Sequence, residues 1–525
     1  MYDYVIVGAG SAGCVLAARL TEDPDVTVCL IEAGATDDLE TIHIPVAFGD
    51  LFRTSVDWDY DSHDEPQLNR RRIFLPRGKV LGGTSSINAM LYLRGNKVDY
   101  DGWGQPGWSY DELLPYFKRS EDNEHGESYY HGSGGPMSVS EGRSRNTQSQ
   151  AFLEAAAQAG FASNDDFNGE SQDGFGYFQL TQRNGRRCST AVAYLHPAMN
   201  RPNLTVRTNF QVHRIVIENG RAVGVTGRRF DEDLTVRANR EVILSAGAYN
   251  SPYLLMHSGI GPTDHLGQLG IPVLHHNDQV GANLQDHPLV PLIFAHDEPV
   301  STLIADEPRY VKQFQEEGTG PMTSNGPEAG GYVRTRSGLD GPDAVFFSGP
   351  MMFADSGLGL PTGHAITYGP VLLTQQARGT VTLDSANPTM KPKIQHNYHQ
   401  TEDDLATAVA ATRIGLEIAR QKGLSRFTKD WYSAPASDSD ADVRAYIRGY
   451  THSIFHGSGT CAIGTVVDAE LKVIGIDGLR VADVSVMPTL GRGAPNASAI
   501  AIGEKAADLV LGKAPLPAAQ ALATA

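Results

Sequence analysis

The sequence predicts an α/β protein, α+β when taken whole: a Rossmann-like nucleotide-binding body carrying a second layer built on β-sheet. Three observations lead there. The chain opens on "DYVIVGAGSAG", an apolar run that turns through Gly8, Gly10 and Gly13 into a helical pattern. It closes in the same manner, with "GLRVADVSVMP" followed by the helical "SAIAIGEKAADLVLG". Long stretches of β alternation, broken by Gly and Pro, lie between them.

In chain order, residues 3–7 read as a buried strand. Residues 11–22 carry apolar side chains at helical spacing, and 26–32 form a second strand ending in Glu32. That is a βαβ opening within about 30 residues. Residues 38–75 are loop-rich, and "PRGKVLGGTSSINAM" (76–90) is a second glycine-rich loop. Residues 120–148 form a surface connection, and a helix is expected over 149–160. Residues 203–229 alternate as strands around the hairpin signal Asn219-Gly220. Residues 240–261 read as strand, turn and helix. Residues 290–400 are β-rich, a long helix covers 403–421, and 514–525 form a small-residue tail expected to fray.

The net charge of −18 argues against nucleic acid or an anionic membrane as partner, since both need a basic face. Cys14, Cys29, Cys188 and Cys461 are scattered without a CxxC pair. They make neither a disulfide framework nor a metal site, so reduced thiols and no metal are expected. Met1 leads straight into the first strand, and no run of about 18 apolar residues exists. The expectation is a cytoplasmic protein without leader or membrane span.

G-x-G-x-x-G between strand and helix brings backbone against a pyrophosphate seated on the helix N-terminus. Gly8 makes the turn, Gly10 allows the close approach, and Gly13 lets helix pack on strand. Ser11, Ala12 and Ala33 flank the site. Glu32, ending the second strand, is placed to accept from the adenosine ribose hydroxyls and would repel a 2′-phosphate. On this alone NAD and FAD both remain open.

The chain resembles the glucose–methanol–choline (GMC) flavoprotein oxidoreductases from residue 3 to about 512. The blocks that carry the resemblance are "DYVIVGAGSAG…LIEAG", "GKVLGGTSSINAMLYLRGNKVDYD" (78–101), "GAYNSPYLLMHSGIG" (247–261), "VGANLQDH" (280–287), "FHGSGTCAIG" (455–464) and "GLRVADVSVMPT" (478–489). The resemblance implies FAD. It implies an FAD-binding domain from 1–150, 196–290 and 440–525, and a substrate-binding domain from 151–195 and 291–439. Gly82, Gly83, Ser86, Asn88, Ala89 and Met90 would lie along the pyrophosphate and flavin. Val212 would meet the adenine through its backbone. Asp483 would lie near the ribityl and pyrophosphate and Asn496 near the flavin end, and Ala246 and Phe455 are further cofactor-binding candidates. Some members bind FAD covalently through a histidine where this chain has Ile87, so the flavin here is expected to be non-covalent.

Alcohol oxidation needs a base for the hydroxyl proton and an acceptor for the hydride. By the resemblance His456 is that base, with Asn496 beside the reacting centre. His287 and His452 are read as structural. The family's second catalytic His or Asn falls on Ala494, whose side chain donates nothing. Three readings follow. In the first, His456 acts with help only from water or substrate; in the second, a neighbour, Arg492 or Asn496, replaces the partner; in the third, the scaffold runs lyase or decarboxylase chemistry. The expected reaction is oxidation of a primary alcohol, with electrons passing to O2 or another acceptor. "GPMMFADSG" suggests a soft apolar wall to the pocket, and no acidic-aromatic cluster marks a quaternary ammonium site. Oligomeric state is left open.

Overall fold

The computed structural model describes residues 1–520. The chain begins with strand β1 (Tyr2–Val7), helix α1 (Ser11–Leu20) and strand β2 (Val28–Ile31). β1 and β2 pair in parallel, Val5 opposite Cys29 and Ile6 opposite Leu30. All four residues are fully buried, as expected of parallel strands covered on both faces. Strands β3 (Leu204–Arg207), β4 (Phe210–Glu218), β5 (Arg221–Arg229) and β6 (Glu232–Leu244) follow, then helix α2 (Gly247–His257). β3 extends the parallel sheet beyond β2. β4 and β5 form the expected hairpin, whose turn residues Asn219 (φ 51°) and Gly220 (φ 78°) both take the positive φ that a tight type I′ turn needs. β6 serves two partners: residues 232–237 run antiparallel to β5, and 238–244 run parallel to β1.

The second sheet contains β7 (Pro288–Leu289), β8 (Leu292–Ala295), β9 (Ala329–Val333), β10 (Ala344–Gly349) and β11 (Ala365–Leu372), followed by helix α3 (Glu402–Ala419), β12 (Asp430–Ser433) and β13 (His452–Ser453). Its order is β9-β10-β11-β7-β13, with β8 bridging β11 and β12, and every pairing is antiparallel. Strand alternation sorts the side chains. Phe346 and Ile366 enter a core shared with α3 and the helix Thr147–Gln158, whereas Phe347 and Thr367 face a cavity. The chain then returns to the first sheet. β14 (Leu479–Val481) pairs in parallel with β6, and helix α4 (Pro495–Val510) packs on α1 so closely that a Cβ on Gly503 would lie 2.9 Å from the Ala12 carbonyl oxygen.

The boundaries expected between the two bodies are crossed in three places. Ala191–Leu195, expected in the second body, joins the core of the first because its apolar side chains pack with α1. β7 and β13, expected in the first, are strands of the second sheet. The tail does not fray as far as residue 520. Leu516 gives it an apolar anchor, its N–H donates to Tyr116 Oη at 3.2 Å, and the Ala519 N–H donates to the Asp111 carbonyl at 2.8 Å. Residues 521–525 of the expected tail lie outside the described residues. All four cysteines are buried and free. Among the described residues no helix is long and apolar enough to cross a membrane.

Candidate active site

A cavity of about 480 Å3 runs from the glycine loops of the first body to the β11 face of the second sheet. At one end it is lined by Gly8, Gly10, Ser11, Ala12, Glu32, Ala33 and Val212, then by Gly83, Asn88, Ala89, Met90, Ala246, Asp483 and Asn496. The two glycine loops touch. A Cβ on Gly83 would lie 2.6 Å from Gly10 Cα, so only glycine lets them meet. Three expected cofactor residues do not line the cavity. Gly13 sits behind it, where a Cβ would lie 1.9 Å from the Gly8 carbonyl oxygen; its work is helix–strand contact. Gly82 and Ser86 shape the second loop from within, the Ser86 hydroxyl donating to the Leu81 carbonyl at 2.6 Å.

The carboxylates at this end are held by backbone. Glu32 accepts from the N–H of Ala9 and of Gly34, both at 2.9 Å. Burial pushes its pKa up to about 7, against those N–H groups and Lys79, so it sits between acceptor and donor near neutrality. Asp483 accepts from Gly247 N–H (2.9 Å), Ser251 Oγ (2.6 Å) and Ser485 N–H (2.8 Å), which caps α2. Asn496 Oδ1 accepts from Ser11 Oγ at 2.7 Å and ties the starts of α4 and α1 together. No acid occupies the first turn of α1, which leaves its N–H groups free for a phosphate.

At the other end His456 lines the cavity, with Phe455 at φ 72°, an unfavourable conformation for a non-glycine residue. A buried carboxylate holds that turn. Asp286 accepts on Oδ1 from the N–H of His287 (2.9 Å) and of His456 (2.7 Å), and on Oδ2 from Ser453 Oγ and Tyr398 Oη, both at 2.5 Å. Ser453 Oγ in turn accepts from Phe455 N–H at 2.6 Å. Burial disfavours the Asp286 charge, yet His396 and the two hydroxyls hold its pKa below the usual value. His287, read from sequence as structural, stands 2.9 Å from His456, Nδ1 to Nδ1. Burial and the neighbouring His287 hold the His456 pKa well below 6.5, so the ring is neutral.

Ala494 lines the cavity and packs with Leu289, Val371, Leu373 and Ile454. Arg492 does not replace the missing partner. It points away from the cavity, donating to Asp99 Oδ1 (2.5 Å) and Asp340 Oδ1 (2.7 Å). The remaining wall comes from residues that carry no motif: Phe48, Phe52, Phe347, Met351, Phe353 and Thr367. The expected soft wall at 349–357 is half right in detail, since Met351 and Phe353 face the cavity while Met352 is buried among Ile293 and Ala365.

The GMC oxidoreductase family model matches residues 2–289 with its N-terminal part and 375–503 with its C-terminal part. The chain belongs to the GMC oxidoreductase family. A GMC-type oxidoreductase of Mycobacterium tuberculosis, described as uncharacterised, is 43% identical over 97% of this chain and 99% of its own. An oxygen-dependent choline dehydrogenase of Brucella ovis is 40% identical over 98% of this chain and 96% of its own. Pyridoxine 4-oxidase from Mesorbium loti superposes with a TM-score of 0.87 at 31% identity, covering 97% of this chain and 98% of that one. GMC oxidoreductases bind FAD, and this one is an FAD-dependent oxidoreductase. Its cavity fits the cofactor. Two loops meet through glycines, Gly10 and Gly83, where a pyrophosphate would pass, a helix N-terminus points at them, and Glu32 lines the same end of the cavity.

Proposed function

We propose that this GMC oxidoreductase oxidises a neutral, apolar primary alcohol, aromatic or allylic in type, to the aldehyde, with His456 as general base. The observation that carries the reading is the state of His456. It lines the cavity, its ring is neutral, its Nδ1 is engaged by His287, and its Nε2 has no partner within the described residues. Nε2 takes the hydroxyl proton. FAD held along the glycine loops would supply the hydride acceptor. Gly83, Asn88, Ala89, Met90 and Asn496 would hold it non-covalently, as Ile87 offers no nucleophile.

The wall supports the substrate class. Only Glu32 and Asp483 among the cavity's described lining residues are acids, and backbone N–H groups hold both at the dinucleotide end. A quaternary ammonium would find phenylalanine rings but no acid lining the cavity beside His456, since the Asp286 carboxylate lies behind the wall and is taken up by four donors. The relatives' choline activity is therefore not the expected one here.

The test is an anaerobic visible spectrum of the purified holoenzyme with alcohols added singly. Benzyl- or cinnamyl-type alcohols should bleach the oxidised flavin band at low concentration and choline should not; the reverse order would sink the assignment. Admitting air then separates oxidase from dehydrogenase by the speed of recolouring. His456→Ala should retain FAD and slow flavin reduction by about 10²–10⁴-fold, the usual weight of general-base catalysis. Flavin that no alcohol reduces would favour lyase or decarboxylase chemistry at the Ala494 surface instead.

A further inference from the structure

Two like nitrogens 2.9 Å apart, His287 Nδ1 and His456 Nδ1, are bonded only if one of them carries hydrogen. The two arrangements have different consequences. If His456 donates, its Nε2 is a bare lone pair at the cavity. If His287 donates, His456 Nε2 carries hydrogen and cannot act as a base.

The reading of His456 as base selects the first. Nε2 of His456 then carries the lone pair, its Nδ1 donates, Nδ1 of His287 accepts, and the hydrogen of neutral His287 sits on its buried Nε2, which has no hydrogen-bond partner among the described residues. The rings cannot drift from this arrangement, because one carboxylate oxygen of Asp286 holds the backbone N–H of both residues.

We propose that His287 is the positioning residue of His456: it fixes the base-competent tautomer and receives the displaced proton during turnover. The inference rests on the reading of His456 as base. The alcohol O–H proton passes to His456 Nε2, and the hydrogen on His456 Nδ1 crosses to His287 Nδ1. His456 ends neutral, and one positive charge rests on His287 beside the Asp286 carboxylate. One proton enters the pair, one crosses it, and nothing in the pair is oxidised. The other ionisable groups acting on the pair are His396, Tyr398 and Arg77.

The experiment uses FAD-loaded protein with 15N-labelled histidine, the His456 signals being assigned by their loss in His456→Ala. Long-range 15N–1H spectra should show His456 protonated on Nδ1 and His287 on Nε2. His456 protonated on Nε2 in the wild type would overturn the proposal. His287→Leu removes the acceptor, and should slow anaerobic flavin reduction by about 10²-fold at unchanged alcohol affinity, with a mixed His456 tautomer. His287→Gln keeps an acceptor oxygen but cannot take a proton. It should restore the tautomer and only part of the rate, with the acid limb of the pH–rate profile displaced. Folded, FAD-loaded Leu and Gln variants that reduce at the wild-type rate, while His456→Ala is slow, would refute the role of His287 alone. A fast His456→Ala would refute the base reading and this inference with it.

Discussion

Asp286 does more at the residue scale than any side chain that touches the cavity. Its two oxygens accept four hydrogen bonds, and through them it sets the backbone of His287, His456 and, by way of Ser453, Phe455. Asp286→Ala leaves those donors buried and unpaired. We expect a loss of about 3 kcal/mol or more in urea unfolding, since a buried hydrogen bond to a charged group is worth about 1.5–3 kcal/mol. His456, the proposed base, has its own signature. Its pKa lies well below 6.5, so it stays deprotonated as pH falls, and activity should be lost only when pH drops through that lowered value. Flavin reduction followed from pH 8 down to 5 should therefore stay level; a limb centred near 6.5 would mean that the ring is solvated. His287 shows why this level is hard to read from sequence. "LQDH" was visible as a block, but the meaning of its histidine depends on a ring 169 positions away. Arg492 failed for the opposite reason: its proximity in sequence to Ala494 said nothing of the two aspartates that draw it off.

Among the elements, the glycine-rich turn into α1 was legible because its geometry is local. Strand, turn, helix and Glu32 all lie within 32 residues, and each spacing is set by backbone sterics. The Asn219-Gly220 hairpin was legible for the same reason. The cavity wall was not, since Phe48, Phe52, Phe347 and Met351 converge from segments whose sequences have no periodicity in common. Gly13 gives this scale its test. A side chain there would enter the Gly8 carbonyl, so Gly13→Val must push α1 off β1. We expect FAD content to fall sharply and the melting temperature with it, read as the flavin-to-protein absorbance ratio and by calorimetry. Ala494→Asn, by contrast, adds an amide to an apolar corner. It should retain FAD and shift preference toward smaller, more polar alcohols in a kcat/KM survey.

For the whole molecule, buried ionisable groups set the response to acid. His257, His287, His396, His399 and His452 are held at about 4 by burial, whereas the unfolded chain protonates its histidines near 6.5. Their contribution to stability is present above 6.5 and is lost as pH falls toward 4. Glu32 and Glu65, pushed up to about 7 by burial, act in the other sense: their contribution is present below 4.5 and is lost as pH rises through 7. With five such histidines against two carboxyls, the melting temperature should drop between pH 6.5 and 4.5; a flat or rising trend would show that the rings are hydrated. The interleaving of the two bodies has a further consequence, in time rather than in space. β7 pairs with β13 through Leu289 and His452, so Asp286, His287 and His456 meet only after the chain has closed a loop of more than 160 residues. Contacts that distant form late, after local turns such as the first glycine loop. During synthesis the glycine loops emerge first, yet Asp483 and Asn496, which complete their lining, emerge after His456. The capacity to hold the cofactor and the capacity to use it thus arrive together, at the end of translation. A chain released early should therefore be inert rather than a half-built flavoprotein able to spill electrons.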